Sequence, residues 1–74
     1  MSGSLPAVRG IFARNLRQMR SRRKLSQEKL ALEAGLDRTY ISSLERGVYA
    51  ATIDTVADLA KALDVEPFEL LKSE

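Results

Sequence analysis

The sequence contains no cysteine, no histidine and no tryptophan, and only two prolines, two tyrosines and two phenylalanines among its 74 residues. Each absence removes a class of function. Without cysteine there is no disulfide to brace so short a chain, and no thiolate to serve as nucleophile or soft metal ligand. Without histidine the commonest general base and zinc ligand is gone as well. The carboxylates are scattered over helical surfaces with no convergent partner, so neither an enzyme nor a metal or cofactor site is expected. Long apolar runs are missing too: nothing approaches the roughly 18 residues of a membrane span or the apolar stretch of a secretory signal. A cytoplasmic protein is the expectation, since a chain without cysteine suits a reducing compartment. A chain of this length allows one domain with a small core, which must draw its stability from helical packing or association.

Acid is absent from one end of the chain. Residues 1–24 carry Arg9, Arg14, Arg17, Arg20, Arg22, Arg23 and Lys24 with no aspartate or glutamate. Residues 51–74 carry Asp54, Asp58, Asp64, Glu66, Glu69 and Glu74 against Lys61 and Lys72. The net charge of +2 therefore conceals a basic half and an acidic half. Such a domain orients itself in the field of a polyanion, basic end toward phosphate, and Arg17 is a candidate phosphate contact. A membrane-surface role for the basic segment is disfavoured by the lack of tryptophan and by the globular pattern that follows it.

What is present is helical periodicity. Val8, Phe12, Leu16 and Met19 form the apolar stripe of a helix from Val8 to Arg23, after a flexible tail of residues 1–7. A second helix runs from Gln27 to Ala34, capped by Ser26, with Leu30, Ala31 and Ala34 facing inward. Gly35 ends it, Leu36 turns back into the core, and Asp37 caps a third helix from Arg38 to Arg46. Thr52 or Asp54 opens a fourth, with Ile53, Val56, Leu59, Ala60 and Leu63 facing inward. Pro67 starts a fifth that ends near Lys72. The expectation is an all-α domain of five helices and no strand over residues 8–74.

The third helix carries the chemistry. At about 100° per residue, Tyr40, Ile41 and Leu44 fall on one arc and Arg38, Thr39, Ser42, Ser43 and Arg46 on the other. The second arc has no bulky apolar residue, and it is slim enough for a major groove about 12 Å wide. A leading arginine such as Arg38 can pair with O6 and N7 of a guanine, or hold a phosphate. Thr39, Ser42 and Ser43 can touch base edges or a thymine methyl. Tyr40 packs at the rim with its hydroxyl free to reach outward. Arg46 and the loop from Gly47 to Thr52 can clamp phosphate, through backbone amides where Ala50 and Ala51 offer no side-chain donor. Two helices joined by a short glycine-containing turn are the supersecondary form that presents the second helix to DNA.

The stretch from Leu25 to Gly47 resembles the helix-turn-helix of the Xre-type regulators, the family of lambdoid phage repressors and Cro proteins. The resemblance rests on Arg20, Leu25, Ser26, Gln27, Leu30, Ala31, Gly35, Ile41, Leu44, Glu45 and Gly47, then Ile53 to Leu63 and the Val65-Glu66-Pro67 lead-in to the last helix. Within it, Asp37-Arg38-Thr39-Tyr40-Ile41-Ser42 is similar to the recognition helix of the controller proteins of restriction-modification operons. The resemblance implies a compact lambda-repressor-like fold, and a transcription regulator with double-stranded DNA as partner and RNA polymerase as a further candidate. Gln27 is implied to bond a phosphate and brace the start of the third helix. Arg20 and Glu45 are implied to form a structural ion pair between the first and third helices. Lys24 departs from the family's frequent glycine or asparagine at the end of the first helix.

One such module covers only about 600 to 1,000 Å² of its own surface on DNA, so tight binding calls for a homodimer on a palindromic operator. Val65, Leu70 and Leu71 are the expected dimer interface, with Phe68 closing the monomer core. The alternative is a helical protein-interaction module, such as an antitoxin or anti-repressor, for which the polar face of the third helix would be dispensable.

Overall fold

Four α-helices follow one another along the chain: α1 (Val8–Arg22), α2 (Gln27–Ala34), α3 (Arg38–Glu45) and α4 (Ile53–Leu63). A 3₁₀ helix (Pro67–Leu70) comes after them. The structure is a computed structural model that describes residues 8–73, so the expected tail of residues 1–7 lies outside the described residues. Among the described residues there is no strand. The expected fifth α-helix is corrected to a 3₁₀ turn, wound by bonds from the Glu69 N–H to Glu66 O (2.9 Å) and from the Leu71 N–H to Phe68 O (3.0 Å). So short a segment gains too few i→i−4 bonds to offset the cost of nucleating an α-helix.

The starts of α2, α3 and α4 each carry a side-chain cap. Ser26 Oγ accepts from the Lys29 N–H at 2.9 Å, Asp37 Oδ1 from the Thr39 N–H at 2.7 Å, and Thr52 Oγ1 from the Thr55 N–H at 3.0 Å. Each satisfies an amide that the first helical turn leaves without a partner.

All four α-helices end in one motif. The residues after them, Lys24, Gly35, Gly47 and Asp64, turn back with φ of 57°, 73°, 72° and 60°. The next residue in each case is aliphatic, and its N–H reaches five residues back: Leu25 to Arg20 O, Leu36 to Ala31 O, Val48 to Ser43 O and Val65 to Ala60 O, at 2.8–3.1 Å. This double-bonded left-handed close satisfies the last carbonyls, and at Leu25, Leu36 and Val65 it folds an apolar side chain back against the core, while Val48 stays exposed. Glycine adopts that backbone freely, whereas at Lys24 and Asp64 a Cβ crowds the following carbonyl.

The helix ends fix how the helices meet. Leu16, Leu30, Ile41, Leu44, Leu59, Leu63 and Leu70 are fully buried, and Phe12, Ala31, Val56 and Ala60 complete the cluster. Each buried leucine or isoleucine contributes about 1.5–3 kcal/mol. α2 packs on both α3 and α4, and α1 on α3 and the 3₁₀ helix. Three apolar residues expected inside are exposed. Val8 and Ile53 open their helices one turn beyond the core, and Ile53 is 87% exposed. Phe68, expected to close the core, is 62% exposed, and Leu70, expected at a dimer interface, is 0% exposed. The two residues have exchanged burial.

Candidate nucleic-acid interface

The turn between α2 and α3 is set by Gly35 and the Asp37 cap, and it holds α3 with one face in the core and one in solvent. Ile41 and Leu44 are buried and Tyr40 is half-buried against them, as a rim position requires. Arg38, Thr39 and Arg46 are exposed, and Ser42 is half-buried beside them. Ser43 does not join that face. It is buried, and its hydroxyl accepts from Arg46 Nη2 at 3.5 Å, so a serine short enough to sink beneath its neighbours is lost from the expected reading set. Thr52 is exposed, but its hydroxyl caps α4 and donates to Thr55 Oγ1 at 3.0 Å, which leaves the amides of Tyr49, Ala50 and Ala51 as the backbone donors nearest it for an anion, those of Gly47 and Val48 being bonded to α3.

The C-terminal end of α3 is held by a polar network around Glu45, whose side chain is 3% exposed. Arg20 Nε and Nη2 donate to its two carboxylate oxygens at 2.5 and 3.0 Å. Gln27 Nε2 donates to Oε1 at 3.0 Å, and Arg20 Nη1 also donates to Leu25 O at 2.8 Å. α1, the α1–α2 connection, α2 and α3 are tied together through one carboxylate. The bonds to Glu45 raise the Arg20 guanidinium above its ordinary pKa, against the opposing effect of partial burial. Gln27 therefore braces the end of α3 rather than its start. Its carboxamide is fixed at the N-terminus of α2 with its second N–H unpaired among the described residues.

Much of the basic half has structural work that the sequence did not reveal. Arg17 Nη1 donates to Glu45 O at 2.6 Å, at the last residue of α3. Arg23 Nη1 donates to Leu63 O at 2.6 Å, at the last residue of α4. Arg9 Nη1 approaches Val48 O at 3.5 Å, just beyond α3. A guanidinium at a helix C-terminus meets unpaired carbonyls and the negative end of the helix dipole, so these arginines staple α1 and the turn after it to their neighbours. Arg17 remains exposed as a residue despite this bond. Arg14 and Arg22 are exposed and have no such bond among the described residues.

Among the described residues no cluster of acidic side chains could hold a metal ion, and no helix is long and apolar enough to cross a membrane.

The helix-turn-helix family HTH_3 matches residues 16–70. The chain belongs to the Xre-type helix-turn-helix family. Its curated relatives include the control protein C.BamHI of Bacillus amyloliquefaciens, 46% identical over 65 residues, which are 86% of this chain and 80% of that protein. The control protein C.SmaI of Serratia marcescens is 45% identical over 64 residues, 86% of this chain and 76% of its own length. Among solved structures, the restriction-modification controller protein C.AhdI of Aeromonas hydrophila superimposes with a TM-score of 0.82 at 44% identity, over 84% of this chain and 94% of that one. The protein is thus a transcription regulator of the helix-turn-helix type.

This Xre-type regulator carries a second surface of a different character. The 3₁₀ bonds bring Phe68 and Leu71 onto one side, because residues three apart eclipse in that helix. Both are exposed. Leu71 also lines a hollow of about 290 Å³ with Val8, Phe12, Ala50, Ala51 and Val56. Val65, expected at the interface, is instead half-buried against the core. The residue that positions this surface is Asn15, which no motif singled out. It is buried in α1 between Phe12 and Leu16, and its Nδ2 donates to Leu70 O and Lys72 O, both at 2.9 Å, with Glu69 O at 3.4 Å. The available signal was a carboxamide next to an apolar stripe, a residue type that is buried only when its bonds are met.

Proposed function

We propose that this regulator binds a specific palindromic operator as a homodimer and controls transcription of a restriction-modification operon. The observation that carries the reading is α3: Arg38, Thr39 and Ser42 present donors and acceptors on one face, and the Glu45 network fixes the end of the same helix against α1 and α2. A reading helix must hold its side chains at a constant offset from the base edges, and a buried charged network supplies that rigidity. In this reading Arg38 contacts a guanine or a backbone phosphate, with Thr39, Ser42 and the Tyr40 hydroxyl beside it. Gln27, Arg46, Arg17 and the amides of the loop ahead of Thr52 hold phosphates on either side. The control-protein relatives support the assignment to an operon of this type. Two copies joined through the face of Phe68 and Leu71 would place their α3 helices about one DNA turn, or 34 Å, apart.

Random-site selection with the intact protein tests the proposal. The expected result is an enriched inverted repeat that depends on α3. A protein-interaction module would return no motif and would tolerate replacement of Arg38.

A further inference from the structure

Every α-helix of this chain closes its own C-terminus through the left-handed motif described above. The 3₁₀ helix does not. Leu71, at its end, has φ −110° and ψ 1°, and among the described residues after it none takes the left-handed conformation that closes the α-helices. Those carbonyls are met from across the molecule, by a side chain 54 to 57 positions earlier. Asn15 is the C-cap that this segment lacks. Its carboxamide has two N–H groups, and the two short bonds go to Leu70 O and Lys72 O, bracketing Leu71 on both sides.

We infer that Asn15 is the positioning residue for self-association: it fixes the orientation of Leu71, and through the Leu71 N–H bond to Phe68 O also of Phe68, so that the apolar face is ordered before a second copy arrives. The inference rests on the homodimer reading above. Leu70 anchors the segment by burial, but a single buried side chain leaves the backbone free to rotate about it. The two carbonyl bonds remove that freedom. Ordering a surface in advance lowers the entropy lost on association, so losing the cap weakens the dimer even where the same apolar atoms are present. Asn15 lies on the α1 side that packs against the 3₁₀ helix, while α3 and its Glu45 network are held by other residues of α1, so half-site recognition does not depend on it.

The test compares the wild-type chain with Asn15→Leu, of similar size without donors, and Asn15→Asp, of the same shape with a carboxylate facing the carbonyls. Sedimentation equilibrium reads the dimer constant. Titration of a duplex bearing one copy of the selected half-site reads recognition. The expected result is a dimer weakened about tenfold or more, the change that follows from losing a well-made cap, with half-site affinity within about twofold of wild type. A dimer constant unchanged in folded variants overturns the inference, and so does a parallel loss of half-site binding. If both variants unfold, the wild type decides. Through-hydrogen-bond couplings from Asn15 Nδ2 to the carbonyl carbons of Leu70 and Lys72 must be present at concentrations where the chain is monomeric, and their absence there overturns the inference. A wild type that stays monomeric even on a two-half-site operator overturns the dimer reading itself, while the couplings still report on the cap.

Discussion

Arg20 and Glu45 meet as a parallel fork, two guanidinium nitrogens on two carboxylate oxygens, and this contact joins the first helix to the end of α3. Glu45 is the more deeply buried partner, with 3% of its side chain exposed against 18% for Arg20. Removing Arg20 strands a charge in the interior, while removing Glu45 strands one nearer the surface. Arg20→Ala is expected to cost about 3–5 kcal/mol and Glu45→Ala somewhat less. Urea unfolding of both variants, with the double variant closing the cycle, measures the coupling. A loss below about 1 kcal/mol for Arg20→Ala would show that the pair behaves as a surface bridge.

Arg38 has no structural partner among the described residues, so its replacement isolates binding. Arg38→Ala should leave the unfolding midpoint in place and cost about 1–3 kcal/mol at the cognate operator, with relaxed preference at one base pair of each half-site. A loss of equal size on every sequence would assign it to phosphate instead.

The basic half divides into arginines that hold helix ends and those that do not. Arg23→Ala removes a charge-assisted bond to Leu63 O and should lower stability by about 1 kcal/mol while leaving the salt dependence of DNA binding unchanged. Arg17→Ala should reduce the log-log salt slope by about one if the exposed side of that guanidinium meets a phosphate. Unchanged slopes for Arg14, Arg17 and Arg22 alike would make the face of α1 plain surface charge.

Lys24 pays a backbone penalty that Gly35 and Gly47 do not. Lys24→Gly should stabilise the fold by about 1 kcal/mol, seen as a higher urea midpoint at constant slope. A destabilised variant would mean that the chain's greater freedom when unfolded outweighs the relief of strain.

Leu70 and Leu71 are adjacent, but the first lies in the core and the second on the surface. Leu70→Ala should cost about 2–5 kcal/mol of stability. Leu71→Asp should leave the fold intact and abolish self-association in sedimentation at micromolar concentration, as should Phe68→Asp. A dimer that survives both charged substitutions would remove this face as the interface.

The helix-turn-helix was legible because its instructions are local: the Ser26 and Asp37 caps, the Gly35 close and the apolar returns are written within a few residues of where they act. The ion pair of Arg20 and Glu45 followed from matched positions. The exchange between Phe68 and Leu70 was not legible, because a four-residue segment cannot display its period. An α-helical reading therefore assigned faces that a tighter winding rearranges. Ser43 escaped for a related reason, since a helical wheel gives direction but not whether a short side chain emerges past its neighbours. Arg9, Arg17 and Arg23 were read by charge alone, and their acceptors are backbone carbonyls, which leave no trace in a sequence. Asn15 acts over the longest separation of all, where no spacing rule reaches.

The four self-closing helix ends have a consequence in time. Each helix carries its own stop within the chain that forms it, and neighbouring helices meet across short connections, so these steps need little loop closure and can run on the fast scale of helical domains. The contact of Asn15 with the Leu70 and Lys72 carbonyls joins opposite ends of the described chain, and it carries the larger entropic cost of a long loop. In the reading proposed above, the helix offered to DNA is then expected to assemble before the face offered to a second copy.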